Sequence, residues 1–120
     1  MIEIAVVPAL CNRQGMVHGG VLLTLMDVAG LWAGASHHST PRAATVSLNA
    51  QFLHAAKWRE DMRLQARAEV TRKSRSLYFS SMSVFASDGG PVIASAQGVY
   101  HIISRPIDPP SLGMADVPAQ

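Results

Sequence analysis

The sequence predicts an α+β domain in which a curved antiparallel β-sheet wraps around one long central helix. Residues 19–35 are apolar on nearly every face of a helix, which is typical of a helix that is buried all round. Residues 43–103 contain four segments in which apolar and polar side chains alternate, and their short connections favour antiparallel pairing. Because one sheet cannot cover every side of such a helix, we expect a dimer or tetramer.

Composition indicates a single domain. The chain has 120 residues, 48% of them hydrophobic, with ten Lys+Arg against eight Asp+Glu. This is enough for one core and too apolar for general disorder. We expect the domain to span residues 1–104 and a proline-rich tail to span 105–120. The longest apolar run, 21–35, is shorter than a bilayer span and carries Asp27, so no membrane partner is expected.

Charge and cysteine content limit the partners. The first ten residues contain no Lys or Arg, so the basic start of a secretory signal is missing and we expect a cytoplasmic location. Cys11 is the only cysteine, and the adjacent pair His37-His38 is a poor metal ligand set, so we expect no metal and no cofactor. The net charge is only +2, and seven of the ten basic residues lie in 57–75, so no nucleic-acid partner is expected.

The elements follow in order along the chain. Residues 1–7 form a short strand, 9–18 a loop and 19–35 the helix, and 36–42 break it. Long strands follow at about 43–53, 61–71, 77–87 and 92–103, with the sequence Asp88-Gly89-Gly90-Pro91 predicting a hairpin between the last two. The large side chains of these elements are expected in the core: Met26, Trp32, Phe52, Tyr78, Phe79 and Phe85.

Asp27 is the only Asp, Glu, Lys or Arg between Arg13 and Arg42, and it lies in the middle of the apolar helix. An unpaired buried carboxylate costs several kcal/mol, so it must be neutralised, hydrogen-bonded or open to a cleft. It is therefore either a functional group or a structural partner of a backbone amide or an arginine. Small residues share its helical stripe, and they either admit a ligand or serve packing: Gly20, Thr24, Gly30 and Gly34.

The helix begins with the sequence His18-Gly19-Gly20. Free amides at a helix N-terminus favour an anion or a developing oxyanion, and glycine lets a ligand approach the backbone. Two glycines before a helix are also common as hinge or cap residues. The tripeptide therefore permits both an oxyanion site and an ordinary helix start.

These motifs together resemble a known family. Asn12-x-x-Gly15-x-x-His18-Gly19-Gly20, followed by Asp27 nine residues after the histidine, resembles the signature of PaaI-type hotdog-fold acyl-CoA thioesterases, which include phenylacetic acid degradation and 4-hydroxybenzoyl-CoA thioesterase-like proteins. The similarity continues through residues 45–53, 72–75 and 86–100. It implies a hotdog fold, a homodimer or homotetramer, and active sites across a dimer interface.

The resemblance also implies roles for five residues. The Gly19 N–H would bind the thioester carbonyl oxygen, and Asn12 and His18 would place and polarise that carbonyl. Asp27 from the opposing subunit would act as general base for water or, alternatively, as a nucleophile that forms an anhydride. Thr45 would hold the water near the carboxylate. Thioester hydrolysis needs these ingredients: a base, water and donors aimed at the oxyanion.

Substrate contacts are predicted at two further places. The basic turn that contains Arg72, Lys73 and Arg75 either holds the phosphates of coenzyme A or is a solvated strand end. Met16 and Leu31 are candidates to line an acyl or aryl pocket. The sequence thus predicts an acyl-CoA thioesterase that releases free acid and CoA, and it does not specify the acyl group. A non-catalytic acyl-CoA binding protein and a hydratase or dehydratase of acyl thioesters remain as alternatives.

Overall fold

Residues 1–34 and 42–103, which the computed structural model describes, form one five-stranded antiparallel sheet and one α-helix. The elements are β1 (Ile2–Ala5), a 3-10 turn (Pro8–Leu10), α1 (Gly19–Ala33), β2 (Ala43–Phe52), β3 (Arg63–Lys73), β4 (Leu77–Ala86) and β5 (Ala94–Ile102). The strand order is β1-β3-β4-β5-β2. The predicted α+β architecture is confirmed. The predicted tail and the His37-His38 pair lie outside the described residues.

The buried face of α1 packs on the middle of the sheet, against β3 and β4. Two glycines let the helix approach closely. A side chain at Gly30 would collide with the Tyr100 hydroxyl and the Met82 sulfur, and one at Gly34 would collide with the Tyr78 ring. The two tyrosine rings stack with centroids 5.1 Å apart. These two glycines therefore serve packing. The sequence alone had allowed either packing or space for a ligand.

The opposite face of α1 is not covered by the described part of the chain. Thr24, Val28 and Trp32 form an exposed stripe, and Trp32 is 44% exposed. The prediction that Trp32 belongs to the core is wrong for the single chain, as is the same prediction for Phe52, which is 53% exposed. Tyr78 and Met26 are buried as predicted. An apolar exposed stripe of this kind marks a contact surface rather than a solvated face.

The two edges of the sheet differ in length. β1 is a four-residue strand that pairs with only the first part of β3. β2 is ten residues long, pairs with β5 along one side, and has most of its residues exposed. A long edge strand presents a row of backbone donors and acceptors that can pair with another strand. The β2 edge is thus an open pairing surface in the described chain.

Candidate active site

A tight turn positions the start of the helix. The side-chain oxygen of Asn12 accepts hydrogen bonds from the backbone N–H of Gln14 (2.9 Å) and Met16 (3.0 Å), and the Asn12 N–H donates to the Met16 carbonyl at 2.8 Å. Gly15 has φ +78°, a left-handed conformation that suits glycine. Asn12 therefore organises the loop through Oδ1, and its Nδ2 is the atom that can face a ligand.

The helix N-terminus is anchored and exposed. The N–H of Val17 donates to the Ala56 carbonyl at 2.8 Å, and that of His18 to the Leu10 carbonyl at 3.0 Å. The next two amides, of Gly19 and Gly20, find no acceptor among residues 1–34 and 42–103. Both glycines and His18 are exposed. Free N–H groups at the positive end of a helix dipole can hold a carbonyl oxygen as it gains negative charge.

Asp27 is half-buried and hydrogen-bonded to a hydroxyl. Thr45 Oγ1 donates to Asp27 Oδ1 at 2.9 Å, and the Tyr100 hydroxyl donates to the Asp27 backbone carbonyl at 3.2 Å. Neither of the two ion pairs in the described residues involves Asp27, so the arginine partner considered from the sequence is absent there. The hydrogen bond from Thr45 is made to Asp27 Oδ1, and none of the hydrogen bonds described for residues 1–34 and 42–103 is made to Oδ2.

Burial raises the pKa of the Tyr100 phenol, and the negative charge of Asp27 raises it further. The hydroxyl is consequently a permanent donor at neutral pH. Tyr100 is fully buried and lies opposite Thr45 in the β2–β5 ladder. One point of the sheet therefore holds both the backbone and the side chain of Asp27.

A β-bulge turns Thr45 toward the helix. Thr45 pairs with Tyr100, and Ser47 pairs with Val99, so Val46 is an extra residue in β2. Strict alternation would place Thr45 on the face opposite Leu48, whereas the bulge shifts the parity and puts both on the helix side. Sequence periodicity carries no signal for this insertion. The hydrogen bond between Thr45 and Asp27 depends on it.

The two halves of the predicted site lie far apart in one chain. Gly19 and Asp27 are eight residues apart on α1, a separation of about 12 Å along the helix axis. A Cβ at Gly19 would lie 3.6 Å from the Phe52 ring, at the end of β2, whereas Asp27 contacts Thr45 near its beginning. One reacting carbonyl cannot contact both groups within a single chain.

An open cleft of about 620 Å³ runs along α1 on the β1 side. Its polar lining consists of His18, Gly20 and Thr24. The rest of the lining is aliphatic and comes from β1, the 3-10 turn and α1: Ile2, Ile4, Leu10, Val21, Leu25 and Val28. The predicted pocket residues Met16 and Leu31 are not part of this lining. The sequence does not predict the cleft, because its walls come from β1 and α1, whose relative placement is a tertiary feature.

The three basic residues of the predicted CoA site surround an exposed hairpin between β3 and β4. Its turn is closed by the Ser74 N–H, which donates to the Leu77 carbonyl at 2.7 Å. Arg72, Lys73 and Arg75 are exposed, and neither described ion pair includes them. Lys73 lies opposite Tyr78, which packs on Gly34, so the hairpin is nearer to Asp27 than to the helix N-terminus.

Neither a metal-binding cluster nor a membrane-spanning helix is found among the described residues. No group of three or more His, Cys, Asp or Glu side chains in 1–34 and 42–103 is placed to hold a metal ion. No helix in these ranges is long and apolar enough to cross a membrane.

A curved antiparallel sheet around one apolar helix, with a His-Gly-Gly helix start, defines a hotdog-fold protein. The family model described as the thioesterase superfamily matches residues 14–93, which include the helix start, Asp27 and Thr45. The chain belongs to this superfamily. The resemblance drawn from the motif is confirmed.

Several known proteins are similar to this chain. A Pseudomonas aeruginosa protein named "Putative esterase PA0474" is 32% identical over 96 residues, which cover 77% of this chain and 66% of that protein. Zebrafish thioesterase superfamily member 2 has a TM-score of 0.71 and 26% identity, covering 84% of this chain and 72% of that chain.

Two further solved structures share the fold. A Bacillus halodurans protein solved with CoA has a TM-score of 0.73 and 22% identity, covering 84% of this chain and 69% of that chain. The Escherichia coli PaaI protein of the phenylacetic acid degradation operon has a TM-score of 0.72 and 22% identity, covering 85% and 70%.

Proposed function

We propose that this protein hydrolyses acyl-CoA thioesters to a free acid and CoA, in sites that two subunits build together. Asp27 of one subunit is the general base, and the Gly19 N–H of the other is the oxyanion donor. The observation that carries the proposal is the placement of these groups at opposite ends of one exposed edge strand. Gly19 lies beside Phe52, and Asp27 is bonded to Thr45.

Antiparallel pairing of two β2 edges assembles such a site. A twofold axis at Asn49 would bring Thr45 opposite the partner subunit's Phe52, because both positions lie three ladder steps from Asn49 once the extra residue Val46 is set aside. Thr45 is hydrogen-bonded to Asp27, and Phe52 lies beside Gly19 at the helix N-terminus. In such a dimer, Asp27 of one subunit would lie near the partner's Gly19. The same two groups within one chain are about 12 Å apart along the helix axis. It also covers the apolar side chains exposed on β2.

The reaction follows from this arrangement. The thioester carbonyl oxygen accepts a hydrogen bond from the Gly19 N–H, with the His18 ring and Asn12 Nδ2 as further donors nearby. Asp27 Oδ2 removes a proton from a water molecule as the water oxygen attacks the carbonyl carbon. The tetrahedral oxyanion then collapses, the C–S bond breaks and CoA leaves as the thiolate, which takes the proton from Asp27 and so restores the base. One oxyanion donor typically contributes about 10²–10³ in rate.

Thr45 orients the carboxylate of Asp27 in this mechanism. Its hydroxyl donates to Oδ1 and fixes the orientation of the carboxylate, so that Oδ2 can take a proton from the attacking water. In this proposal Asp27 is a base, and the anhydride route, in which the same oxygen attacks the carbonyl directly, is the alternative. The Arg72–Arg75 turn, on the Asp27 side, holds the CoA phosphates. The Bacillus halodurans relative solved with CoA supports a CoA thioester as substrate.

Subunit complementation tests the shared site. Gly19→Pro removes the backbone N–H at the first helical position, where proline is tolerated, and His18 already has the extended conformation (ψ 139°) that precedes proline. Asp27→Ala removes the base. Each variant alone should lose hydrolysis of acyl-CoA, measured as free thiol. An equimolar mixture, denatured and refolded together, should recover about a quarter of wild-type activity, because half of the dimers are mixed and each has one intact site.

The matched control is Gly19→Ala, which keeps the N–H and places its Cβ at an ordinary contact distance from Phe52. It should retain most activity. A mixture with no recovery, although mixed dimers are present, contradicts the shared site. Asp27→Ala with full activity contradicts the general base. Saturable acyl-CoA binding without turnover by the wild-type protein would indicate a binding protein instead, and hydration of crotonyl-CoA would indicate a hydratase.

A further inference from the structure

The cleft between β1 and α1 is polar at one end and aliphatic along the rest of its length. The polar end is the first two turns of the helix, where His18, Gly20 and Thr24 line it. The Thr24 hydroxyl already donates to the Gly20 carbonyl at 2.8 Å, so it is satisfied without a ligand. Beyond Thr24, the lining consists only of aliphatic side chains.

The cleft begins at the residues on either side of Gly19, because His18 and Gly20 both line it. Gly20, whose amide is next to that of Gly19 at the helix start, lines the polar end, and Val28 lines the wall two turns further on. These two residues are about 12 Å apart along the helix axis. A carbonyl held at the helix N-terminus can therefore direct its substituent along the aliphatic wall.

We infer that this cleft binds the acyl group of the thioester and selects unsubstituted aliphatic chains of medium length over hydroxylated acyl groups. The inference rests on the proposed thioesterase function. A chain that fills the cleft buries its methylenes against Ile4, Leu25 and Val28. A hydroxyl at the far end of the ligand would find no polar side chain in the lining to bond with, whereas a methylene there gains apolar contact.

The cleft is also separate from the proposed subunit contact. It lies beside β1, which is one edge of the sheet, whereas Thr45 lies on β2, which is the other. A dimer that pairs β2 edges leaves the cleft uncovered. A second copy that pairs through β2 therefore does not occupy the cleft, which leaves it accessible to the acyl group.

Val28→Phe tests the inference, because a larger side chain at this half-exposed position would fill the far part of the cleft. We would measure kcat/KM for acetyl-, butyryl-, octanoyl- and 4-hydroxybenzoyl-CoA. The wild-type value should rise at least about tenfold from acetyl to octanoyl and should be lowest for the hydroxylated substrate. Val28→Phe should lower the ratio of kcat/KM for octanoyl-CoA to that for acetyl-CoA by about tenfold. Val92→Phe is the matched control, since Val92 is 40% and Val28 38% exposed and Val92 does not line the cleft.

The outcomes separate the inference from the function on which it rests. An equal loss for acetyl- and octanoyl-CoA in Val28→Phe overturns the inference, as does a change of oligomeric state, measured by sedimentation, that accompanies the loss. A wild-type enzyme that prefers 4-hydroxybenzoyl-CoA also overturns it. If no thioester is hydrolysed at all, the proposed function fails by itself. The binding of a non-hydrolysable octanoyl-CoA thioether then decides: binding about tenfold weaker in Val28→Phe than in wild type supports the cleft, and equal binding overturns it.

Discussion

Thr45 Oγ1 donates a 2.9 Å hydrogen bond to Asp27 Oδ1 and thereby joins the beginning of β2 to the middle of α1. The bond exists because a bulge at Val46 turns Thr45 to the helix side of the sheet. It leaves the second carboxylate oxygen of Asp27 without a described partner. In the proposed mechanism this bond fixes the orientation of the carboxylate while its second oxygen takes a proton from water.

Thr45→Val should lower kcat for acyl-CoA hydrolysis by about 10- to 100-fold, because a hydrogen bond to a charged group contributes roughly 1.5–3 kcal/mol. KM should change little, since Thr45 holds the base and not the CoA. Steady-state kinetics with a free-thiol assay measures both constants. Thr45→Ser keeps the hydroxyl and should restore most of the rate.

Thr71→Val is the matched control for this substitution. Thr71 also lies at a β-bulge, in β3, and its hydroxyl donates to the Phe79 carbonyl at 3.2 Å, away from Asp27. It should leave kcat unchanged. Equal rates for Thr45→Val and wild type would show that the hydroxyl does not orient the catalytic carboxylate.

Local patterns were sufficient to predict much of this fold. The apolar run predicted α1, and alternation predicted the four long strands to within a few residues. Asp27 was singled out because a lone acid in an apolar helix needs a polar partner, and that partner is Thr45. The burial of Trp32 and Phe52 was predicted wrongly, because hydrophobicity shows that a side chain avoids water and does not show whether its own chain covers it.

The features that the sequence did not reveal are relations between distant segments. The bulge depends on how β2 pairs with β5, and no residue type in β2 requires it. The cleft depends on the approach of β1 to α1. The function of Gly30 became clear only when Tyr100 and Met82 were seen to fill the space where a side chain would lie.

The basic hairpin should affect affinity and not chemistry. In the double variant Arg72→Ala/Arg75→Ala, KM for acyl-CoA should rise about 3- to 10-fold with kcat unchanged, because exposed cation–phosphate contacts are weak individually and add up. The same acyl group on N-acetylcysteamine, which has no nucleotide, should show no change. Arg59→Ala is the control, since Arg59 pairs with Asp88 elsewhere on the surface. An equal rise of KM for both substrates would show that this turn does not bind the CoA phosphates.

Gly30→Ala should destabilise the protein by about 1–3 kcal/mol, because the new methyl group overlaps the Tyr100 hydroxyl and the Met82 sulfur. Gly20→Ala is its control on the same helix, where nothing lies within 4 Å of the new Cβ, and it should cost no stability. Urea denaturation at one fixed protein concentration compares them, so that association affects all variants alike. A Gly30→Ala protein as stable as wild type would contradict the close packing of α1 on the tyrosines.

Glu3 should make stability depend on pH in the acid range. Its carboxylate accepts hydrogen bonds from Ser87 Oγ (2.7 Å), Gln65 Nε2 (2.9 Å) and Arg63 Nε (2.8 Å), which tie β1 to β3 and to the end of β4. These contacts, that of Ser87 first, lower the pKa of Glu3 from 4.5 to about 2. A carboxyl whose pKa is lower in the folded state stabilises the fold above its unfolded pKa, and this contribution is lost as the pH falls toward the folded value.

The stability difference between wild type and Glu3→Gln should therefore be largest above about pH 5 and should shrink as the pH falls from about 4.5 to about 2. Thermal unfolding across this range measures it. Ser87→Ala removes the largest contribution to the pKa shift of Glu3, so it should narrow the pH range over which the stability contribution of Glu3 is lost. Where Glu3 is already Gln, Ser87→Ala should have a smaller pH-dependent effect on stability. A difference that stays constant from pH 7 to pH 3 would mean that the charge of Glu3 does not hold β1 to the sheet. In that case acid should also leave Ile2 and Ile4 in their places in the cleft wall.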